Sequence, residues 1–204
     1  MNRTAALLMA LFVSLNLMAP IASNKVVDLG FIIFTAGSLL IAISYGALDI
    51  LNDWKGRRAA RVTVETALIV RAAFFLVIVP LLIFLPAKSV TPGFDAFLAT
   101  SARLFVAGWF SLLVGGWFVN TPIFSWLRVK MHGRNFILRY LATSFPTIIA
   151  GNVVYITLGF YGTPVDIPAL ILGTTVARVV LGVIITPFVA LGRYGVRQFG
   201  NQNI

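Results

Sequence analysis

Six apolar stretches, each closed by charge, proline or glycine, divide this sequence. They run from about Ala5 to Ala22, Gly30 to Ile50, Val62 to Leu85, Phe97 to Val119, Tyr140 to Tyr161 and Ile167 to Leu191. At roughly 1.5 Å per residue of helix, each is long enough to cross about 30 Å of hydrocarbon. Lipid offers no partner to a backbone N–H or C=O, so each stretch is predicted to satisfy its own as a helix. The expected fold is an all-α integral membrane protein with six transmembrane helices, some kinked or broken around a central polar cavity, and with residues 1–204 forming one transmembrane domain. The chain is 59% hydrophobic and only 11% charged, against roughly 25% charge in soluble domains. A soluble globular domain is excluded. The first stretch has a competing reading, because Arg3, an apolar core and the run "APIAS" also suit a cleaved signal peptide. Cleavage would leave an odd number of helices and a terminus on the side opposite the basic loops, so the helix is preferred.

Orientation follows from Lys and Arg in the connections. Eleven of the 16 lie in alternate segments that would share one side: Arg3, then Lys55, Arg57, Arg58 and Arg61, then Arg128, Lys130, Arg134 and Arg139, then Arg193 and Arg197. The opposite connections hold only Lys25 and Lys88. Both termini are therefore predicted to be cytoplasmic. The net charge of +10 sits in short clusters between apolar runs, a pattern suited to lipid headgroups and not to nucleic acid. The absence of cysteine and the presence of a single histidine, His132, exclude thiolate metal sites and Cys nucleophiles and make a histidine site improbable. No metal, cofactor or catalytic residue is expected.

Arg71, Arg103 and Arg178 fall inside apolar windows, where a charge costs about 2.5 to 3.5 kcal/mol even on a lenient scale. Glu65 and Arg71 lie on different faces of one helix, so a partner for Arg71 has to come from another helix or from headgroups. Arg103 and Arg178 are read as donors to a polar ligand between helices. Asp49 and Asp53 are four apart near the end of the second stretch and share a face. Their repulsion is relieved by Arg58 or Arg61, or by a ligand that donates to them. Asn24, Asn120 and Asn152 are polar groups in or beside the windows, with interhelical bonding as the alternative to ligand contact. Gly37, Gly115-Gly116, Pro146, Gly151 and Pro187 mark places where helices break, kink or pack closely.

These residues resemble a family. Ser23-Asn24-Lys25 is followed by "FTAGSLLIAISYGALDILNDWKGRRAAR", with Asp49, Asp53 and Gly56 ahead of Arg57, Arg58 and Arg61. Arg103 stands in "ATSARLFVAGW", Phe124 in "NTPIFSWLR", and "LGFYG" precedes Arg178 and Pro187. The ordered set is similar to the VUT, or queuosine precursor transporter, family of six-helix membrane proteins. The sequence departs from the family where Asn120 replaces a usual Asp, the stretch from Arg103 to it is one residue longer, Gly151-Asn152 replaces an Asp-Thr, and Arg178 replaces a Lys. The resemblance implies inner-membrane uptake of a queuosine precursor, 7-cyano-7-deazaguanine or a related 7-deazaguanine, feeding a tRNA modification pathway. It implies a substrate site drawn from Asn24, Asp49, Asp53, Arg103, Asn120, Asn152 and Arg178. A carboxylate would accept the base's paired N–H groups and Arg would serve its carbonyl, while Trp109, Trp117 and Tyr155 offer aromatic walls. The expected partners are this solute and membrane lipids, with a homodimer admitted. A substrate-capturing or structural membrane subunit of a larger transport complex is the alternative, and an enzyme is not expected.

Overall fold

The computed structural model describes residues 3–84 and 93–199; Lys88 and the last residue of the third apolar stretch lie outside them. The protein is mostly helical, at 85%. Six helical rods are built from eight α-helices: α1 Arg3–Ala22, α2 Gly37–Lys55, α3 Arg57–Ala73, α4 Val79–Phe84, α5 Phe94–Leu112, α6 Thr121–Lys130, α7 Phe136–Phe160 and α8 Ile167–Phe199. Two wide π-helical segments, Phe74–Ile78 and Leu113–Asn120, join α3 to α4 and α5 to α6 without breaking the rods. Four helices are long and apolar enough to span a membrane by themselves: Arg3–Ala22, Ala96–Lys130, Phe136–Phe160 and Ile167–Gln198. Of the other two rods, α2 carries Asp49, Asp53 and Lys55, and the α3 part of the third carries Arg57, Arg58, Arg61, Glu65 and Arg71. Of these charges only Asp49, Asp53 and Arg71 are buried.

Several boundaries move. The predicted connection Lys55 to Arg61 is a single residue, Gly56, whose φ of 85° lets α3 start at once from the end of α2. The fourth apolar stretch continues past Val119 as α6, and the sixth reaches Phe199. Pro146 and Pro187 lie inside unbroken helices, and the departures from α-geometry fall instead at the wide segments.

The second stretch does not begin as helix. Val26–Asp28 (β1) and Ile33–Thr35 (β2) form an antiparallel hairpin in which Val27 faces Phe34. Asp28 accepts a hydrogen bond from the Gly30 backbone at 2.7 Å to hold the turn. The hairpin packs on α8: a Cβ on Gly173 would stand 2.0 Å from the Ile33 carbonyl oxygen. Its apolar side joins Leu104, Ile156, Phe160 and Leu170 in a core at this end of the molecule. At the other, basic end a second core gathers Ile50, Phe124, Phe136, Tyr140 and Val189. The length of α7 between Tyr140 and Ile156 faces a polar interior.

Candidate functional site

A cavity of about 40 Å³ lies in that interior, bounded by α1, α2, α3, α5, α7 and α8 and by Thr35 of the hairpin. Two guanidiniums reach it. Arg71 of α3 is 2% exposed and donates from Nη2 to the Asn16 carbonyl of α1. It has room because residue 108 is glycine, where a Cβ would lie 2.6 Å from its Nη1. Arg178 of α8 is 6% exposed and donates from Nη1 to the Asn152 side-chain oxygen. Asn152 in turn donates to Thr175 Oγ1 at 3.1 Å. Neither Arg71 Nε nor Arg178 Nε has a hydrogen-bond partner. The cavity is closed on other sides by Ser38, Tyr45, Ser111, Tyr155 and Thr174.

A second, smaller cavity of about 20 Å³ adjoins it and shares Tyr45, Thr147 and Arg178, with Asn120, Tyr140 and Ser144 completing its polar lining. Tyr45 stands between the two. Its hydroxyl is seated against the wide segment of the fourth rod, 3.3 Å from where a Cβ on Gly115 would be and 3.4 Å from one on Gly116. Asp49, one turn along α2 from Tyr45, is 0% exposed, and neither of its carboxylate oxygens accepts a hydrogen bond. Asn120 stands close enough to act on its charge, yet both polar atoms of the Asn120 amide are also buried without a hydrogen-bond partner.

Asp53 has a different environment. Its carboxylate takes Arg139 Nη2 at 2.7 Å, Arg193 Nε at 2.7 Å and Arg197 Nη2 at 2.9 Å, tying α2 to α7 and α8 at the basic end. The expectation that Arg58 or Arg61 answers the acidic pair is corrected here: the answering cations come from the fifth and sixth rods, because α3 turns away at Gly56. An ion pair between Arg71 and Glu65, Asp49 or Asp53 is absent among the described residues, and Glu65 is exposed. Arg103 and Asn24 sit at the hairpin end outside both cavity linings. Arg103 Nη1 donates to the Tyr161 carbonyl at 3.0 Å beyond the end of α7, and Asn24 donates to Ser101 Oγ at 2.9 Å. The structure thus brings Asn120, Asn152 and Arg178 to the cavities, Asp49 beside them, and Asp53, Arg103 and Asn24 elsewhere.

Of the aromatic walls, Tyr155 lines the main cavity. Trp109 instead donates to the Leu68 carbonyl at 3.1 Å, and Trp117 packs under Arg61 at 4.9 Å. Tyr45, Asn16, Thr147 and Thr174 are cavity residues that the sequence reading passes over. Their signal is spacing: Ser38, Tyr45, Asp49 and Asn52 recur at seven, four and three along α2, and Tyr140, Ser144, Thr147, Gly151 and Tyr155 at four, three, four and four along α7. A polar or small stripe at helical period in an otherwise apolar rod marks the side turned away from lipid.

No curated protein and no solved structure matches the chain. Residues 35–192, from the second strand of the hairpin through most of α8, match the family described as "Putative vitamin uptake transporter". That span covers most of the 204 residues and every helix that lines the cavities except α1, so the chain belongs to this family of membrane transporters.

Proposed function

We propose that this multi-pass membrane protein takes up a small planar, purine-like solute, a 7-deazaguanine precursor of queuosine, across the inner membrane, with both termini cytoplasmic. The observation that carries this reading is the polar cavity at the centre of an apolar bundle, with Arg, Asn and Tyr side chains converging on it from five helices. Donors of this kind suit the carbonyl and ring nitrogens of a guanine-like edge. Tyr45 and Tyr155 offer flat faces for a heterocycle. Asp49, buried with free acceptor oxygens, is the group assigned to the paired N–H groups of the base.

The cavity's 40 Å³ holds no more than a few waters, whereas ligand pockets measure roughly 300 Å³ or more. A solute of that size therefore needs more room than this cavity gives. Solute entry requires α2, α7 and α8 to separate around Tyr45, which merges the two cavities and opens a way toward Asp49. The wide segment Leu113–Asn120 supports such movement, since π-geometry departs from the regular helical ladder; at its end the Gly116 carbonyl accepts both the Thr121 backbone N–H and, at 2.8 Å, Thr121 Oγ1. The test is uptake of labelled 7-cyano-7-deazaguanine, and of its carboxylated analogue, by cells lacking both their own synthesis and their own transporter, read as queuosine in tRNA. Expression of this chain is expected to restore the modification. Failure to restore it, with normal membrane insertion, refutes the substrate.

A further inference from the structure

The main cavity contains two cations and no anion. Arg71 and Arg178 both line it and are nearly fully buried. Among the described residues, their hydrogen bonds go to neutral acceptors, the Asn16 carbonyl and the Asn152 amide oxygen. Among the described residues every ion pair ends on Asp53, at the basic end of the molecule, and no carboxylate lines either cavity. The acid-sized polar side chains that do line them, Asn16, Asn120 and Asn152, are amides. Asp49 is not among the lining residues.

A guanidinium does not give up its proton in a protein. Two permanent charges inside a membrane bundle, each with a buried Nε that donates to nothing, are a costly arrangement for an empty site. An arriving anion removes that cost, since it supplies both the missing counter-charge and the missing acceptors. A planar carboxylate fits best, because its two oxygens match the paired N–H groups that one guanidinium presents.

We infer that the solute carried by this chain is an organic anion bearing a carboxylate, with Arg71 and Arg178 as its counter-charges. The inference rests on the transport reading of the cavity and narrows its substrate class: among 7-deazaguanines it selects the 7-carboxy over the 7-cyano compound. In the bound form the carboxylate replaces Asn152 as the acceptor for Arg178 and takes the free Nε donors.

The test compares acid and neutral partners of one scaffold on the purified full-length protein, by equilibrium binding and thermal shift. The pairs are 7-carboxy- and 7-cyano-7-deazaguanine, nicotinate and nicotinamide, and biotin and biotin amide. In at least one pair the acid is expected to bind ten-fold or more tightly than its neutral partner, the discrimination a charge-assisted hydrogen bond provides. Arg178→Gln and Arg71→Gln are each expected to shrink that ratio by ten-fold or more, with Arg178→Lys retaining part of it. If the glutamine variants do not fold, the wild-type ratio alone decides. Equal or tighter binding of the neutral members, or binding of none of the acids, overturns the inference. The outcomes separate the two readings: preference for the cyano compound sinks the anion and keeps the deazaguanine, while acid preference confined to another pair keeps the anion and sinks the deazaguanine.

Discussion

Asp49 and Asp53 are one helical turn apart and buried alike, yet their surroundings assign them opposite kinds of work. Asp53 is held by three guanidiniums from two other helices. Removing its charge leaves Arg139 buried beside a group that no longer compensates it, so Asp53→Asn is expected to lower stability by about 3 to 5 kcal/mol, read as a lower melting temperature in detergent. Arg197→Gln removes the more exposed partner, whose side chain is 49% accessible, and should cost no more than about 1 kcal/mol. Asp49 has no ion pair and no hydrogen bond to lose. Asp49→Asn is thus expected to leave the melting temperature nearly unchanged, because the substitution breaks no ion pair and no hydrogen bond. If Asp49 accepts the solute's N–H groups, the same variant loses about 1.5 to 3 kcal/mol of binding. Thermal melts and equilibrium binding on one preparation separate the roles: lost stability with intact affinity would make Asp49 structural.

The helices approach one another through small residues, and the consequences differ sharply from glycine to glycine. A Cβ on Gly37 would meet the Ala19 carbonyl oxygen at 2.2 Å, a backbone atom that cannot rotate away. Gly37→Ala is expected to cost about 1 to 3 kcal/mol or more through forced separation of α1 and α2. Gly195 on α8 has nothing within 4 Å of such a Cβ. Gly195→Ala should be neutral or stabilising by up to about 1 kcal/mol, from helix propensity alone. Folded yield and melting temperature of the two variants check the pair; equal behaviour would contradict the packing. Gly108 is an intermediate case, since the clashing atom there belongs to Arg71. Its replacement by Val is expected to displace that guanidinium and reduce uptake more than stability.

Basic residues concentrate at one end, where the Asp53 cluster, the Gly56 joint and the basic tip of α6 lie, while the hairpin, with Lys25 and Arg103 near it, closes the other. Reporter fusions after Lys88 and after Arg197 are expected to report opposite sides of the membrane, with the latter cytoplasmic. Matching locations would refute the six-span topology. Neutral substitutions across Lys55, Arg57, Arg58 and Arg61 are expected to alter insertion more than solute affinity, since none of the four lines the main cavity. A large affinity loss with normal insertion would contradict this.

Six helical rods, the bias of positive charge, and the presence of ionisable groups that had to avoid lipid were readable from residue order, because the cost of exposing a peptide group or a charge to hydrocarbon is local and does not depend on which helix packs where. Even the polar stripes of α2 and α7 were there to be read by period. Partnership was not. Nothing in the order of residues says that Asp53 takes Arg139, Arg193 and Arg197 while Asp49 takes none, that Arg103 ends on a carbonyl beyond α7, or that Arg71 and Arg178 meet across one cavity. Those facts depend on rotation and close approach of whole helices, set by contacts such as Gly37 on Ala19 and Gly173 on the hairpin. In a bundle where lipid is as apolar as leucine, burial alone does not choose the partner; steric fit and the pairing of charge decide it.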